Sequence, residues 1–254
     1  MTLHRLLTIA CASSALLSVL CVPAVADNRP FTFVYEATTT PKGMIEYEQT
    51  MTWQARRGSP GNVDLWEFRH EIEFGITDRF QLGLYLSNWE ISRAAGNTDA
   101  RWQSVSLEAI CNLTNPTTDW LGSALYGEVT AGDRVVELEG KLILQKNLGR
   151  WLVAYNATIE AEWEGSGLRE RTGVFEQSLG VSYEISPRWS VGAELLHEVE
   201  FEDWRKAGDH ALYLGPNASH RFKRGFVTTT VLFQATGIRA EPDVQTRLIF
   251  GIEF

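Results

Sequence analysis

Residues 245–254 read QTRLIFGIEF, and the way this stretch sorts its side chains decides the fold. With the two residues before it, Val244, Thr246, Leu248, Phe250, Ile252 and Phe254 fall on one face. Asp243, Gln245, Arg247, Gly251 and Glu253 fall on the other. A period of two is the pattern of a β-strand with one apolar side and one wet side. Ile249 is the residue that departs from it.

The same demand recurs along the chain. In WLVAYNATIEAEWE (151–164), Trp151, Val153, Tyr155, Ala157, Ile159, Ala161 and Trp163 share one face; Asn156, Thr158, Glu160, Glu162 and Glu164 share the other. GMIEYEQTMTWQAR (43–56) sets Ile45, Tyr47, Met51 and Trp53 against Glu46, Glu48, Thr50, Thr52 and Gln54. The pattern predicts strands over 43–56, 65–76, 80–92, 101–113, 120–130, 134–146, 151–164, 172–184, 189–200, 210–222, 226–234 and 243–254. At ~3.3 Å per residue and a tilt near 40°, an 11-residue strand rises roughly 27 Å, which matches the ~25 Å apolar band of an outer-membrane barrel. Strands of soluble sandwiches are about half as long.

The connections fall into two alternating sets. TDRFQLG (77–83), LGRWLVA (148–154) and SPRWSVG (186–192) share a compact turn pattern, with NPTTDW and KRGF in equivalent places. RGSPGNVD, RAAGNTDA, AGD, GSGLRER, FEDWRKAGD and ATGIRAEP are mostly longer, polar and rich in glycine. If the last strand finishes in the periplasm, the first set faces the periplasm and the second faces outward. The nine Trp residues obey this division. Trp53, Trp66, Trp89, Trp102, Trp163 and Trp204 lie near the outward set; Trp120, Trp151 and Trp189 lie near the turns, with Phe80, Phe226 and Phe254 extending their row. An indole joins an apolar body to one donor and suits the headgroup layer, so two such rows read as aromatic girdles. The fold class expected is all-β, a closed antiparallel transmembrane β-barrel of about twelve strands over 43–254.

An apolar last strand ending in Phe254 resembles the C-terminal signal of bacterial outer-membrane proteins, which implies recognition by the barrel assembly machinery. The TTTPKGMIEYEQ entry (38–49), the GITDRFQLGLYL hairpin (75–86) and YLGPNASHRF (213–222) are similar to outer-membrane transporters associated with phenol meta-cleavage pathways. That resemblance implies passage of small, hydrophobic or aromatic solutes.

Residues 1–26 begin with His4 and Arg5, continue as an apolar run and end at Pro23, Ala24 and Ala26, which reads as a secretory signal peptide cut after Ala26. Bulky Leu20 before Cys21 speaks against a lipoprotein anchor. Cleavage leaves Cys111 as the one cysteine, without an internal disulfide partner or a metal-binding spacing. The formal charge moves from -9 to about -10, which argues against a nucleic-acid partner. No later run approaches the ~18 apolar residues of a membrane helix. Residues 27–42 form either a periplasmic extension or a segment folded into the lower lumen.

No catalytic constellation, cofactor motif or metal motif is legible. Ser219 and His220 are adjacent on a strand and face opposite ways, so they cannot act as nucleophile and base. GxSxG, HExxH and Walker sequences are absent. The alternation instead sends Glu46, Glu48, Glu67, Arg69, Glu71, Glu73, Glu137, Glu139, Lys141, Glu160, Glu162, Glu194 and Arg247 inward as candidate pore-lining residues, along with Glu108, Glu128, Glu176 and Glu198. A water-filled interior with this excess of carboxylates would attract cations and repel anions. The alternatives are a packed polar core in a non-transporting surface or structural barrel, and a barrel enzyme built on clustered carboxylates.

The expected surroundings are outer-membrane lipid and lipopolysaccharide, whose phosphates suit Arg57, Arg93, Arg134, Arg169, Arg171, Arg205, Lys206 and Arg239 in or beside the outward connections. Arg79, Arg150, Arg188 and Arg224 at the turns carry the same chemistry on the other side. On the lipid face, His70 needs a partner, for which Gln49 is the candidate, and Gln177 should neighbour His197. The sequons at Asn112, Asn156 and Asn217 read as ordinary strand residues.

Overall fold

A computed structural model describes residues 29–58 and 61–254. The expected signal peptide lies outside the described residues. Twelve antiparallel strands follow in chain order: β1 (Ile45–Arg56), β2 (Val63–Thr77), β3 (Phe80–Ala94), β4 (Asn97–Thr114), β5 (Gly122–Gly132), β6 (Val135–Leu148), β7 (Trp151–Glu164), β8 (Glu170–Ser186), β9 (Trp189–Glu202), β10 (Lys206–Phe222), β11 (Gly225–Gln234) and β12 (Val244–Glu253). Each pairs with its neighbour in sequence, and β12 closes the barrel on β1 with Tyr47 opposite Ile252, Gln49 opposite Phe250 and Met51 opposite Leu248. Closure pairs both edges of the sheet, the condition lipid imposes on extended backbone.

The alternation read from the sequence holds on both sides of the wall. Phe250 is exposed on the outer face, while Gln245, Ile249, Gly251 and Glu253 are buried inside. Ile249, the exception to the pattern, is therefore an apolar residue on the lumen side. Leu107, Leu125, Val129, Ile159, Leu179 and Leu214 are exposed outward, each between two more buried inward residues. Burying such a surface in lipid rather than water supplies the driving force that a soluble fold would draw from its core.

The barrel differs from the expected outline at the end that carries the longer connections, the outward end in the sequence reading, where strands are longer. RAAGNTDA is mostly hairpin: β3 runs to Ala94 and β4 starts at Asn97. Ala95 and Gly96 between them both take positive φ, 51° and 84°, the twist of a tight two-residue turn. In β3 the register shifts between Tyr85 and Asn88, a bulge that reverses parity and turns Trp89 to the outside, opposite Trp102.

The interior is not uniformly wet. Leu196, Ala211, Tyr213 and Leu232 of β9–β11 form a buried apolar cluster. Phe33 reaches it from the segment before β1, and Ile238 reaches it from the connection after β11. Gln234 fixes that connection by donating to the carbonyls of Ile238 (3.1 Å) and Pro242 (2.9 Å).

Candidate functional site: an occupied lower lumen and an open outer vestibule

Residues 29–40 follow the barrel wall on its inner side, passing β10 and β11, then β9, β7, β6, β4 and finally β3 and β2, and the exposed Pro41 and Lys42 reach the rim, where Asp78 accepts from the Lys42 N–H. Such a segment has backbone donors and acceptors but no strand to pair with, and side chains of the wall take the strand's place. Glu194 of β9 accepts from the backbone N–H groups of Thr32 (3.0 Å), Phe33 (2.7 Å) and Val34 (3.0 Å), and from Asn217 and Thr230. Asn156 of β7 pairs both ways with Tyr35, accepting from its N–H at 2.6 Å and donating to its carbonyl at 3.0 Å. Gln145 accepts from the N–H of Ala37 (2.7 Å), Asn112 donates to the Ala37 carbonyl, and Gln81 accepts from the N–H of Thr40 (2.8 Å). Asn217 donates to the Pro30 carbonyl, while Ser219 and Thr228 donate to that of Arg29. Phe31 is buried against Gly180, where any Cβ would stand 2.6 Å from the ring.

These anchors sit in the half of the wall nearer the compact turns. In the outward half, a cavity of about 240 Å³ is bordered by Glu67, Arg69, Asn88, Gln103, Glu128, Glu137, Glu162 and Glu164. Its cations are engaged. Arg69 pairs with Glu128 at 2.7 Å and lies 3.8 Å from the Tyr85 ring centre. Lys141 pairs with Glu139 at 2.9 Å and stands between the rings of Tyr35 (4.1 Å) and Tyr126 (4.5 Å). Arg247 covers the Phe33 ring at 4.0 Å and donates to Thr52. Five carboxylates, of Glu67, Glu128, Glu137, Glu162 and Glu164, border the cavity, and Arg69 is the one cation among its lining residues.

The model of DUF6662, described as a family of unknown function, matches residues 23–247. The chain belongs to this family. No curated protein is similar to the DUF6662 chain in sequence. Among solved structures, the COG4313 outer membrane channel from Pseudomonas putida F1 superposes with a TM-score of 0.61 at 15% identity, covering 86% of this chain and 98% of that one. The translocator domain of the autotransporter NalP from Neisseria meningitidis gives 0.52 at 14% identity, over 85% and 90%. The NanC porin gives 0.51 at 10% identity, over 83% and 98%. A channel, a translocator domain and a porin share this fold, so the DUF6662 barrel has the outer-membrane fold, and its task has to be argued from its lumen.

The sequence-predicted inward residues divide into groups in this DUF6662 member. Glu46, Glu48, Glu71, Glu73, Lys141 and Glu194 are buried, and Glu48, Glu73 and Glu194 hold the N-terminal segment. Glu67, Arg69, Glu137, Glu139, Glu160, Glu162 and Arg247 are half-buried and lie toward the outward half, Arg247 in one registered row with Thr52 and Glu67. Among the girdle candidates, Trp53 opposes Trp66 and Trp163 meets Trp204 edge-on at 5.2 Å, all at the outward strand ends. At the opposite rim, Trp151 packs on Tyr183 (4.8 Å), Trp189 covers His220 (4.2 Å) and Phe254 is exposed, whereas Phe226, expected in this row, faces inward and is buried over Gly251, which has no side chain to block it. Ser219 faces the lumen and His220 the rim, so this pair forms no dyad.

One lipid-face partnership differs from expectation, and the other, Gln177 beside His197, holds. His70 is opposite Gln49, but its Nδ1 lies 2.9 Å from the hydroxyl of Tyr47, whose longer side chain reaches it diagonally. Gln177 is opposite His197, yet it donates to Tyr155 at 2.8 Å, while His197 stacks on His210. The largest omission of the sequence reading is the set of amides Gln81, Asn112, Gln145, Asn156 and Asn217. Read as strand residues, they are the clamps of the N-terminal segment. Their inward parity and their position in the turn-side half were the available signals.

Proposed function

We propose that this barrel is an outer-membrane channel for small neutral or cationic solutes, aromatic compounds among them, with residues 29–42 as the narrowing element of its periplasmic half. The observation that carries this reading is the asymmetry of the lumen: an outward vestibule rimmed by carboxylates ends on a segment held by side-chain hydrogen bonds, without strand pairing. An acidic vestibule concentrates cations before any constriction. The aromatic preference rests on the sequence resemblance to transporters associated with phenol meta-cleavage pathways. Orientation with the C-terminus in the periplasm, Trp girdles in both headgroup layers, lipopolysaccharide around the outward bases and recognition of the Phe254 strand by the assembly machinery belong to the same proposal.

Planar-bilayer recording in a salt gradient tests it, with the native barrel and a refolded variant lacking residues 29–41. The variant should conduct more than the native barrel, with a reversal potential of cation-selective sign. Anion selectivity, or no conductance from a variant that folds, would sink the proposal. The second reading, a non-transporting surface barrel, is favoured by the complete burial of Phe31 and Ala37 in the segment. It predicts silence from both proteins and no uptake of sugars, amino acids or aromatic acids by liposomes.

A further inference from the structure

Glu48 of β1 and Glu71 and Glu73 of β2 present carboxylate oxygens that all lie within 4.8 Å of one another, and all three residues are buried. Registered pairing brings them together: Glu48 stands opposite Glu71, and Glu73 is two residues along on the same inward face. Arg29 makes an ion pair with Glu48, and the Thr40 hydroxyl donates to Glu73 at 2.7 Å. Fully ionised, three carboxylates against one guanidinium would leave two negative charges uncompensated, a costly arrangement away from water that shared protons or a bound cation would relieve.

Two further observations point to a ligand. Glu71 Oε1 is buried without a hydrogen-bond partner, and so is Oε1 of Glu108, a residue outside the trio that is fully buried on β4. Both carboxylate side chains crowd Gly83, where an added Cβ would stand 2.1 Å from Glu71 Oε1 and 3.2 Å from Glu108 Cβ. Glu48 and Glu73 also border a cavity of about 60 Å³, room enough for an ion with a water.

We propose that Glu48, Glu71 and Glu73, with Glu108 alongside, bind one divalent cation of the hard, oxygen-preferring class, Ca²⁺ in the first instance. Flexible carboxylates at mixed distances suit its six to eight oxygen ligands better than the strict octahedron of Mg²⁺. Its two charges would offset most of the negative charge that Arg29 leaves on these carboxylates. The ion would tie β1 and β2 to both ends of the N-terminal segment, through Glu48 to Arg29 and through Glu73 to Thr40.

Isothermal titration of Ca²⁺ into the chelator-treated, detergent-solubilised full barrel tests the site without reference to transport. Saturable binding of one ion is expected, weakened at least 100-fold in Glu71→Gln/Glu73→Gln. It should be kept in Glu160→Gln/Glu162→Gln, which alters the separate acidic group formed with Glu137. Gly83→Ala offers a second route, since it displaces the Glu71 carboxylate without removing charge, and it should weaken binding as well. Circular dichroism and heat-modifiable gel mobility establish that each variant has folded. Absence of saturable binding up to about 10 mM, ten times the weakest dissociation constants of extracellular Ca²⁺ modules, overturns the proposal. So does loss of binding in Glu160→Gln/Glu162→Gln alone.

Discussion

Replacing Glu194 by Gln keeps the volume of the side chain and removes one of two acceptor oxygens. In the native barrel, Oε2 accepts from Phe33 and Val34, while Oε1 accepts from Thr32, Asn217 and Thr230. With its NH₂ toward Phe33 and Val34 the new amide meets two backbone donors; turned the other way it meets the Asn217 amide and the Thr230 hydroxyl, which can also accept, while Thr32 still reaches the Oε2 position at 3.2 Å. The better orientation leaves about one buried donor without an acceptor, at ~1–3 kcal/mol, so the seat of residues 32–34 should weaken by roughly 1–3 kcal/mol. Amide hydrogen exchange reads this directly, because Thr32, Phe33 and Val34 donate to the carboxylate. Their protection should fall between about 5-fold and 150-fold, the same energy expressed as a local opening equilibrium. Amides of β3, six strands from β9 around the closed barrel, should keep their native protection. If residues 32–34 exchange at the native rate in a folded Glu194→Gln barrel, the carboxylate is not what holds the segment.

Gly180→Ala places a Cβ 2.6 Å from the Phe31 ring. The ring must shift, at about 1–3 kcal/mol, and limited proteolysis within residues 29–42 should become faster while the barrel stays resistant. Ile238→Asp puts a charge against the cluster of Phe33, Leu196, Tyr213 and Leu232, so the connection over residues 235–243 should be cleaved by protease many times faster; unchanged cleavage would show that its inward fold does not depend on that contact. Trp163→Ala removes the edge-on contact with Trp204, worth ~0.5–1.5 kcal/mol beyond burial, and should lower the urea midpoint slightly without preventing insertion into lipid vesicles.

The period-two alternation, the strand lengths and the two classes of connection were enough to read a closed barrel, because side-chain direction in a strand follows from position alone. Positions 151–164 are a strand over the full range read from the sequence, and the pairings of Tyr183 with Val191 and Leu179 with Leu195 follow from the turn between β8 and β9. For the same reason every carboxylate proposed to face inward could be named before any coordinates. Parity gives a direction, but it does not say what a side chain meets there. Whether residues 29–42 lay inside or outside the barrel was open in the sequence, since their few apolar residues have no period. Closing the wall decided it, by bringing Glu194, Asn156, Gln145, Asn112 and Gln81, which are scattered over more than a hundred positions, within reach of one strip of backbone. The carboxylate trio is of the same kind. Glu48 is 23 residues from Glu71, a separation no metal-binding motif would flag, and only the register of β1 on β2 sets the two opposite each other. Local sequence fixes which face a residue takes, whereas contacts across the lumen depend on strand number, register and the path of the inner segment, which exist only once the barrel has closed.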